Sequence, residues 1–218
     1  MTENWNRRLD LLLSALLFAV GASALVVSAA SEKEGFWLAF RYMTMNGTVF
    51  TTLTALFLTI ACAAELRTGR SLRKRLYYFR LCAAVTECII AAVILLSFFP
   101  FVPDKPELLT YDSFCMHVIM PLLTILSFLL NPSPAEWVPP LKRLGCAWLI
   151  TLYAAVVTAL ILTGAIPQDK IPYSFMDFRT QPLSYSICIG CFVYSFAYVL
   201  SVWLTNGNRR MARLWSIE

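Results

Sequence analysis

Arg41, Thr44, Thr48 and Thr51 follow one another at spacings of three or four residues at the head of the stretch FRYMTMNGTVFTTLTALFLTIACAA. That spacing puts side chains on one helix face, so a strongly apolar segment carries a stripe of one guanidinium and three hydroxyls. A threonine hydroxyl becomes a nucleophile when a neighbouring base takes its proton, and a neutral imidazole is the usual partner. His117, in YDSFCMHVIMPLLTILSFLL, is the only histidine in the chain. Pro121 follows four residues later and cannot donate to the His117 carbonyl, which predicts a local distortion and a small polar opening beside the imidazole. A third polar group, Tyr173, Asp177 and Arg179, stands in IPYSFMDFRTQP. These are the residue types of an acyl-transfer site: a threonine of the stripe would attack, His117 would take the proton, and Asp177 would orient the imidazole. Asn46, or backbone N–H groups at the head of that helix, would stabilise the developing oxyanion. The planar fork of Arg41 suits a fatty-acid carboxylate or a headgroup phosphate, with Thr48 and Tyr173 completing the binding surface.

Each residue also has an ordinary reading. Threonines in membrane helices bond their own i−4 carbonyls or help helices pack. Arg41 can snorkel to headgroups, a histidine at a helix end can be a satisfied interfacial residue, and Asp177 with Arg179 can be a solvated pair. The residues alone leave both sets open, and the choice turns on what holds them.

The chain is 59% hydrophobic and 14% charged, with a mean hydropathy of +0.66, too apolar for a domain with a water-facing surface. A spanning helix needs roughly 20 mostly apolar residues. Six stretches qualify, over Leu9–Ala30, Phe40–Ala64, Phe79–Val102, Phe114–Leu130, Leu144–Ile166 and Leu183–Thr205. Only helices or closed barrels satisfy the backbone in lipid, and these runs are too long and too uniformly apolar for barrel strands. The short, proline-rich connectors leave no room for a second folded domain. The expected fold is therefore all-α, a single integral membrane bundle of six transmembrane helices over residues 1–218. Arg7 and Arg8 before the first run give it the look of a signal peptide, but it exceeds the usual signal core, and a retained first helix is expected.

Thirteen of the eighteen Lys and Arg residues fall on one side when alternate connectors are counted, among them Arg70, Arg80, Arg143 and Arg209. The other side holds Lys33, Arg41, Lys105, Lys170 and Arg179. That asymmetry places both termini in the cytoplasm and makes the bacterial inner, or plasma, membrane the expected location. It also accounts for the net charge of +5, so membrane lipids, and not nucleic acid, are the expected partners; the RTGRSLRKRLYYFR loop would meet anionic headgroups. Under this topology the polar groups of the second helix, the fourth helix and the segment before the sixth all reach the outer leaflet. A shared pocket there is the economical account.

Little else in the chain carries chemistry. The seven cysteines sit mostly in apolar runs, where a thiol is a small hydrophobe; Cys188 and Cys191 have CxxC spacing without a second pair, so no metal or other cofactor is expected. Asn46-Gly47-Thr48 matches a glycosylation sequon inside an expected helix. Trp37, Tyr77, Tyr78 and Trp203, near span ends, read as interface anchors. Glu87 lies deep in the third helix, as a proton-carrying carboxylate or as a protonated side chain bonded to a neighbouring helix.

FRYMT, MHVIMPLL and IPYSFMDF, in this order, resemble three signatures of the androgen-induced six-span membrane proteins and their bacterial relatives. Some animal members of that family hydrolyse fatty acid esters of hydroxy fatty acids with a membrane-embedded threonine and a histidine. The resemblance implies that Thr44 is the nucleophile, that His117 is its partner, and that the substrate is a fatty acyl ester. The competing expectation is a lipid-binding or transport protein that uses the same pocket without chemistry.

Overall fold

A computed structural model describes residues 3–31, 39–69, 72–95, 110–131 and 138–216. Lys33, Trp37, Arg70, Lys105 and the last part of the expected third span lie outside the described residues. Six long helices make up the described chain: α1 (Glu3–Ser31), α2 (Met43–Thr68), α3 (Tyr77–Val93), α4 (Tyr111–Leu130), α5 (Pro140–Leu162) and α6 (Leu183–Ser216). No strand occurs among the described residues. All except α3 are long and apolar enough to cross a membrane, consistent with an α-helical membrane protein. The α-helical turns of α3 cover 17 residues, and the helix continues through Ile94 and Leu95 to the end of the described segment.

α3 can carry polar residues because it is the inner helix. Every residue from Arg80 to Ile90 is buried, and α2, α4 and α6 all pack against it. Leu81, Val85 and Ile89 meet Phe128 of α4, Cys146 and Ala147 of α5, and Ala197 and Leu204 of α6 in the largest apolar cluster. A helix enclosed by protein can carry Arg80, Thr86 and Glu87 without presenting them to lipid. The outer helices do the reverse: Leu53, Phe57 and Ile60 of α2, and Leu152, Val156 and Leu160 of α5, point outward as apolar stripes at helical spacing. Such stripes would be a liability in water and suit contact with acyl chains.

The helices alternate in direction. At one end, Asp10 of α1, Arg80 of α3 and Ser127 of α4 come together, Tyr78 of α3 donates to the Lys142 carbonyl at 3.0 Å, and Asn208 of α6 donates to the Phe128 carbonyl at 2.6 Å. At the opposite end, Ser23 of α1 shares a 2.8 Å hydrogen bond with Tyr111 at the head of α4, beside the head of α2. Tyr77 and Tyr78, at the start of α3, thus also make contacts between helices. Trp203 is 58% exposed.

Two glycines mark the closest helix approaches. A Cβ on Gly21 of α1 would lie 2.1 Å from Thr52 Oγ1 of α2, and one on Gly47 of α2 would lie 2.4 Å from Ile90 Cδ1 of α3. α1 and α3 thus grip the upper half of α2 from two sides, which holds the threonine stripe in place.

Candidate functional site

The head of α2 is fixed by its own turn and by a distant loop. Tyr42 is extended (φ −94°, ψ 137°) and precedes the first helical residue, Met43. The Asn46 amide reaches back and donates to the carbonyls of Phe40 at 2.7 Å and Tyr42 at 2.9 Å. The Met43 N–H donates to the Tyr173 hydroxyl at 3.2 Å, and Tyr153 of α5 donates to the Arg41 carbonyl. Met43 packs into a cluster with Tyr153, Val157, Ile161 and Met176. Met45 packs on the other side with Ala24, Ala39, Cys115 and Met116. Thr44 stands between two anchored methionines, so its direction is set by packing and does not depend on its own hydrogen bond.

What Thr44 meets is His117. In α4 the segment Cys115–Ile119 forms a π-helical turn, closed by the Met120 N–H donating to the Cys115 carbonyl. Pro121 supplies the reason: with no N–H to return to the His117 carbonyl, the backbone just ahead of it widens. The distortion expected from sequence is thus present, and it falls on the histidine. His117 Nε2 lies 3.2 Å from Thr44 Oγ1, and His117 Nδ1 lies 3.1 Å from Ser113 Oγ, one turn earlier. With the ring proton on Nδ1, donated to Ser113, Nε2 is left as an acceptor for the Thr44 hydroxyl, the arrangement a general base requires.

The first N–H groups of a helix lack intrahelical acceptors. At the head of α2, Tyr173 takes that of Met43 and the Tyr42 carbonyl accepts that of Asn46 at 3.5 Å. Those of Thr44 and Met45 have no acceptor among the described residues. Two donors are therefore available beside the Thr44 hydroxyl, at the positive end of the helix dipole.

The remaining expected residues divide. Asp177 does not orient His117. Its carboxylate accepts from the Thr180 hydroxyl at 2.7 Å, the Arg179 N–H at 3.2 Å and the Gln168 amide at 3.5 Å, and these donors, Thr180 foremost, hold its pKa below the ordinary carboxylate value. It caps the turn before α6, while Ser113 takes the imidazole. Asn46 is likewise corrected as an oxyanion donor, because its N–H groups are spent on the turn carbonyls. Tyr173 is a positioning residue: stacked on Phe175 with ring centroids 5.4 Å apart and buried enough to raise its phenol pKa, it holds the α2 head. Arg41 is half-buried, with its guanidinium 4.9 Å from the Tyr42 ring centroid and donating to the Tyr42 hydroxyl at 3.1 Å. Thr48 lies fully buried one turn below Thr44, and its hydroxyl has no partner among the described residues.

Ser113 and Thr86 were not singled out from sequence. Ser113 carries a usable signal, its spacing of four from His117. Thr86 stands next to Glu87, which is fully buried with neither carboxyl oxygen hydrogen-bonded among the described residues; Thr51 lies beside Glu87 on α2, short of a hydrogen bond. The hydroxyls of Thr51 and Thr86 are equally buried and unpartnered.

The Asp177 turn makes a checkable expectation. A carboxyl whose folded pKa is depressed contributes fully above its unfolded value, and the contribution is lost as pH falls through the folded one. Asp177→Asn should therefore imitate acid at neutral pH. Hydrogen exchange of the amides over 174–181 should quicken several-fold, and any activity at Thr44 should be unchanged.

No family model, curated protein or solved structure matches the chain. The functional reading accordingly rests on the site's own geometry.

Proposed function

We propose that the chain is an intramembrane hydrolase that cleaves a lipid ester of the fatty acid–hydroxy fatty acid type through Thr44 and His117. The observation that carries this reading is the 3.2 Å approach of Thr44 Oγ1 to His117 Nε2, with Ser113 on the other ring nitrogen. A six-span topology with both termini in the cytoplasm puts this pair at the outer leaflet of the plasma or bacterial inner membrane, where an ester can enter sideways from lipid. The resemblance of FRYMT, MHVIMPLL and IPYSFMDF to the androgen-induced six-span family supports the same assignment.

The chemistry runs in two halves. The Thr44 oxygen bonds to the ester carbonyl carbon as its proton passes to His117 Nε2, and the N–H groups of Thr44 and Met45 receive the developing oxyanion. The intermediate collapses, the carbon–oxygen bond to the hydroxy acid breaks, and His117 returns the proton to that leaving oxygen. Water, deprotonated by His117, then attacks the acyl-threonine, and the fatty acid departs with Thr44 restored. Arg41 offers its fork to the substrate's free carboxylate, and Thr48 lines the pocket below. Purified protein incubated with such an ester should release free fatty acid in proportion to enzyme. Release no faster than in empty micelles would reject the reading.

A second reading has an observation of its own. Glu87 with Thr51 and Thr86 is a buried polar group that the hydrolase does not use, which fits a non-catalytic lipid-binding or transport protein. That protein would bind lipid saturably without turnover, would keep its function in Thr44→Ala, and would lose counterflow in liposomes on Glu87→Gln.

A further inference from the structure

The end of the bundle opposite Thr44 gathers positive charge around a phenol. Tyr77 opens α3 and packs on Phe128 of α4, with ring centroids 5.5 Å apart. Its hydroxyl is shut off from solvent and has no hydrogen bond among the described residues. Three guanidinium groups act on that hydroxyl: Arg209 of α6, Arg80 of α3 and Arg143 of α5. Arg80 is already neutralised, since it pairs with Asp10 at 3.0 Å and donates to Ser127 Oγ at 2.8 Å. Arg143 and Arg209 form no ion pair among the described residues. The Arg143 Nε atom is buried without a partner. Asn131, at the foot of α4, is 5% exposed, with both polar atoms of its side chain unpartnered. Asn208 fixes that corner by donating to the carbonyls of Phe128 at 2.6 Å and Asn131 at 3.2 Å.

Guanidinium groups, a phenol O–H and an amide N–H are all donors. Two like charges held half-buried on neighbouring helices repel each other and lose hydration, so the arrangement calls for an anion with several acceptor oxygens. A phosphate group has that chemistry. The surroundings indicate where it comes from. Immediately after Arg143 in sequence, a largely apolar groove of about 500 Å³ runs along α5 toward α6, lined by Leu144, Trp148, Leu152, Ala155, Thr151 and Tyr194 among others. A free phosphate has no use for a hydrocarbon trough next to its binding residues, whereas a phospholipid uses both.

We propose that Arg143, Arg209, Tyr77 and Asn131 form a binding site for the phosphate of an anionic phospholipid, in the leaflet on the side where α1 begins and α6 ends, with one acyl chain in the groove between α5 and α6. The site is independent of the hydrolase reading. A lipid held there bridges α3, α5 and α6 and stabilises the bundle from the end remote from the pocket.

The test uses purified full-length protein in detergent, with lipid retention read by native mass spectrometry and the thermal midpoint read in parallel. Phosphatidylglycerol should stay bound and raise the midpoint, while zwitterionic phosphatidylcholine of the same chain length should do neither. Arg143→Gln and Arg209→Gln should each weaken phosphatidylglycerol binding about tenfold, the loss of one charge-assisted contact. Arg143→Lys should keep most of it. Midpoints measured without lipid should match wild type, which separates lost binding from lost folding. Equal retention of phosphatidylcholine, or wild-type retention of phosphatidylglycerol in both glutamine variants, would overturn the proposal. Stabilisation by inorganic phosphate as strong as that by phosphatidylglycerol would overturn the lipid assignment and leave a free-anion site.

Discussion

Thr44→Ala is expected to abolish ester hydrolysis, and His117→Ala to lower it by about a hundredfold to ten-thousandfold, the usual range for losing a positioned base. The two effects should not add. Without the hydroxyl there is no proton for the imidazole to take, so the double variant should be no worse than Thr44→Ala alone. Both residues are half-buried and lie outside the main apolar cluster, so thermal midpoints should move little. Ser113→Ala separates chemistry from packing. It leaves His117 in place and removes only the acceptor on Nδ1, so it should reduce turnover by about tenfold with little change in apparent substrate affinity. Initial rates of fatty acid release across a substrate series check all of these. Turnover that persists in Thr44→Ala would remove the nucleophile and favour the binding or transport reading.

The largest expected effect on stability lies at the other end of the molecule. Asp10 is fully buried and Arg80 is 7% exposed. Their contact is bidentate, with Arg80 Nη2 at 3.0 Å and Nη1 at 3.3 Å from the two carboxylate oxygens, and Nη2 also donates to the Ser127 hydroxyl and carbonyl. The pair joins α1, α3 and α4 at one point. Removing one partner takes from the other its closest opposite charge in the interior, which costs about 3–5 kcal/mol. Arg80→Ala and Asp10→Ala should each lower the thermal midpoint in detergent by roughly 10 °C for a chain of this size. The double variant should lose less than the sum of the two, because neither charge is then left alone. Strict additivity in scanning fluorimetry would show that the two charges do not depend on each other.

Most of the helices were legible because burial in lipid and burial in protein ask for the same apolar runs. The third run reads as a membrane span like the others, and within the described residues α3 is enclosed by its neighbours, where a helix surrounded by protein does not need an apolar surface all round. Arg80 shows the same effect. Counted along the chain it is one more basic residue beside a basic loop; in space it is the partner of Asp10, a carboxylate that stands unremarked near the start of the first run.

The candidate site was legible to a similar depth. Thr44 and His117 could be paired because a helix fixes which residues share a face, and because only one imidazole was available. Pro121 made the distortion beside His117 predictable from the missing N–H alone. The third group of the arrangement was misplaced for a definable reason. The apolar run of the fourth helix starts at Phe114, and Ser113, just ahead of it, was not weighed as a partner of His117; the helix begins at Tyr111, and the spacing of four becomes a contact. Asp177 was chosen in its place for carrying the right charge on the right side. Sequence position says nothing about which way a loop carboxylate turns, and here the nearby Thr180 hydroxyl and Arg179 N–H satisfy it locally. Asn46 was misassigned similarly, since a short amide next to a helix start finds its own turn carbonyls first.

The account stands on an activated Thr44 hydroxyl, and covalent capture tests that most directly. A fluorophosphonate carrying an acyl chain, incubated with purified protein in micelles, should label wild type. Peptide mass spectrometry should place the adduct on Thr44, and labelling should be absent in Thr44→Ala and at least tenfold slower in His117→Ala. Equal labelling of wild type and Thr44→Ala, or an adduct mapped to another residue, would contradict it.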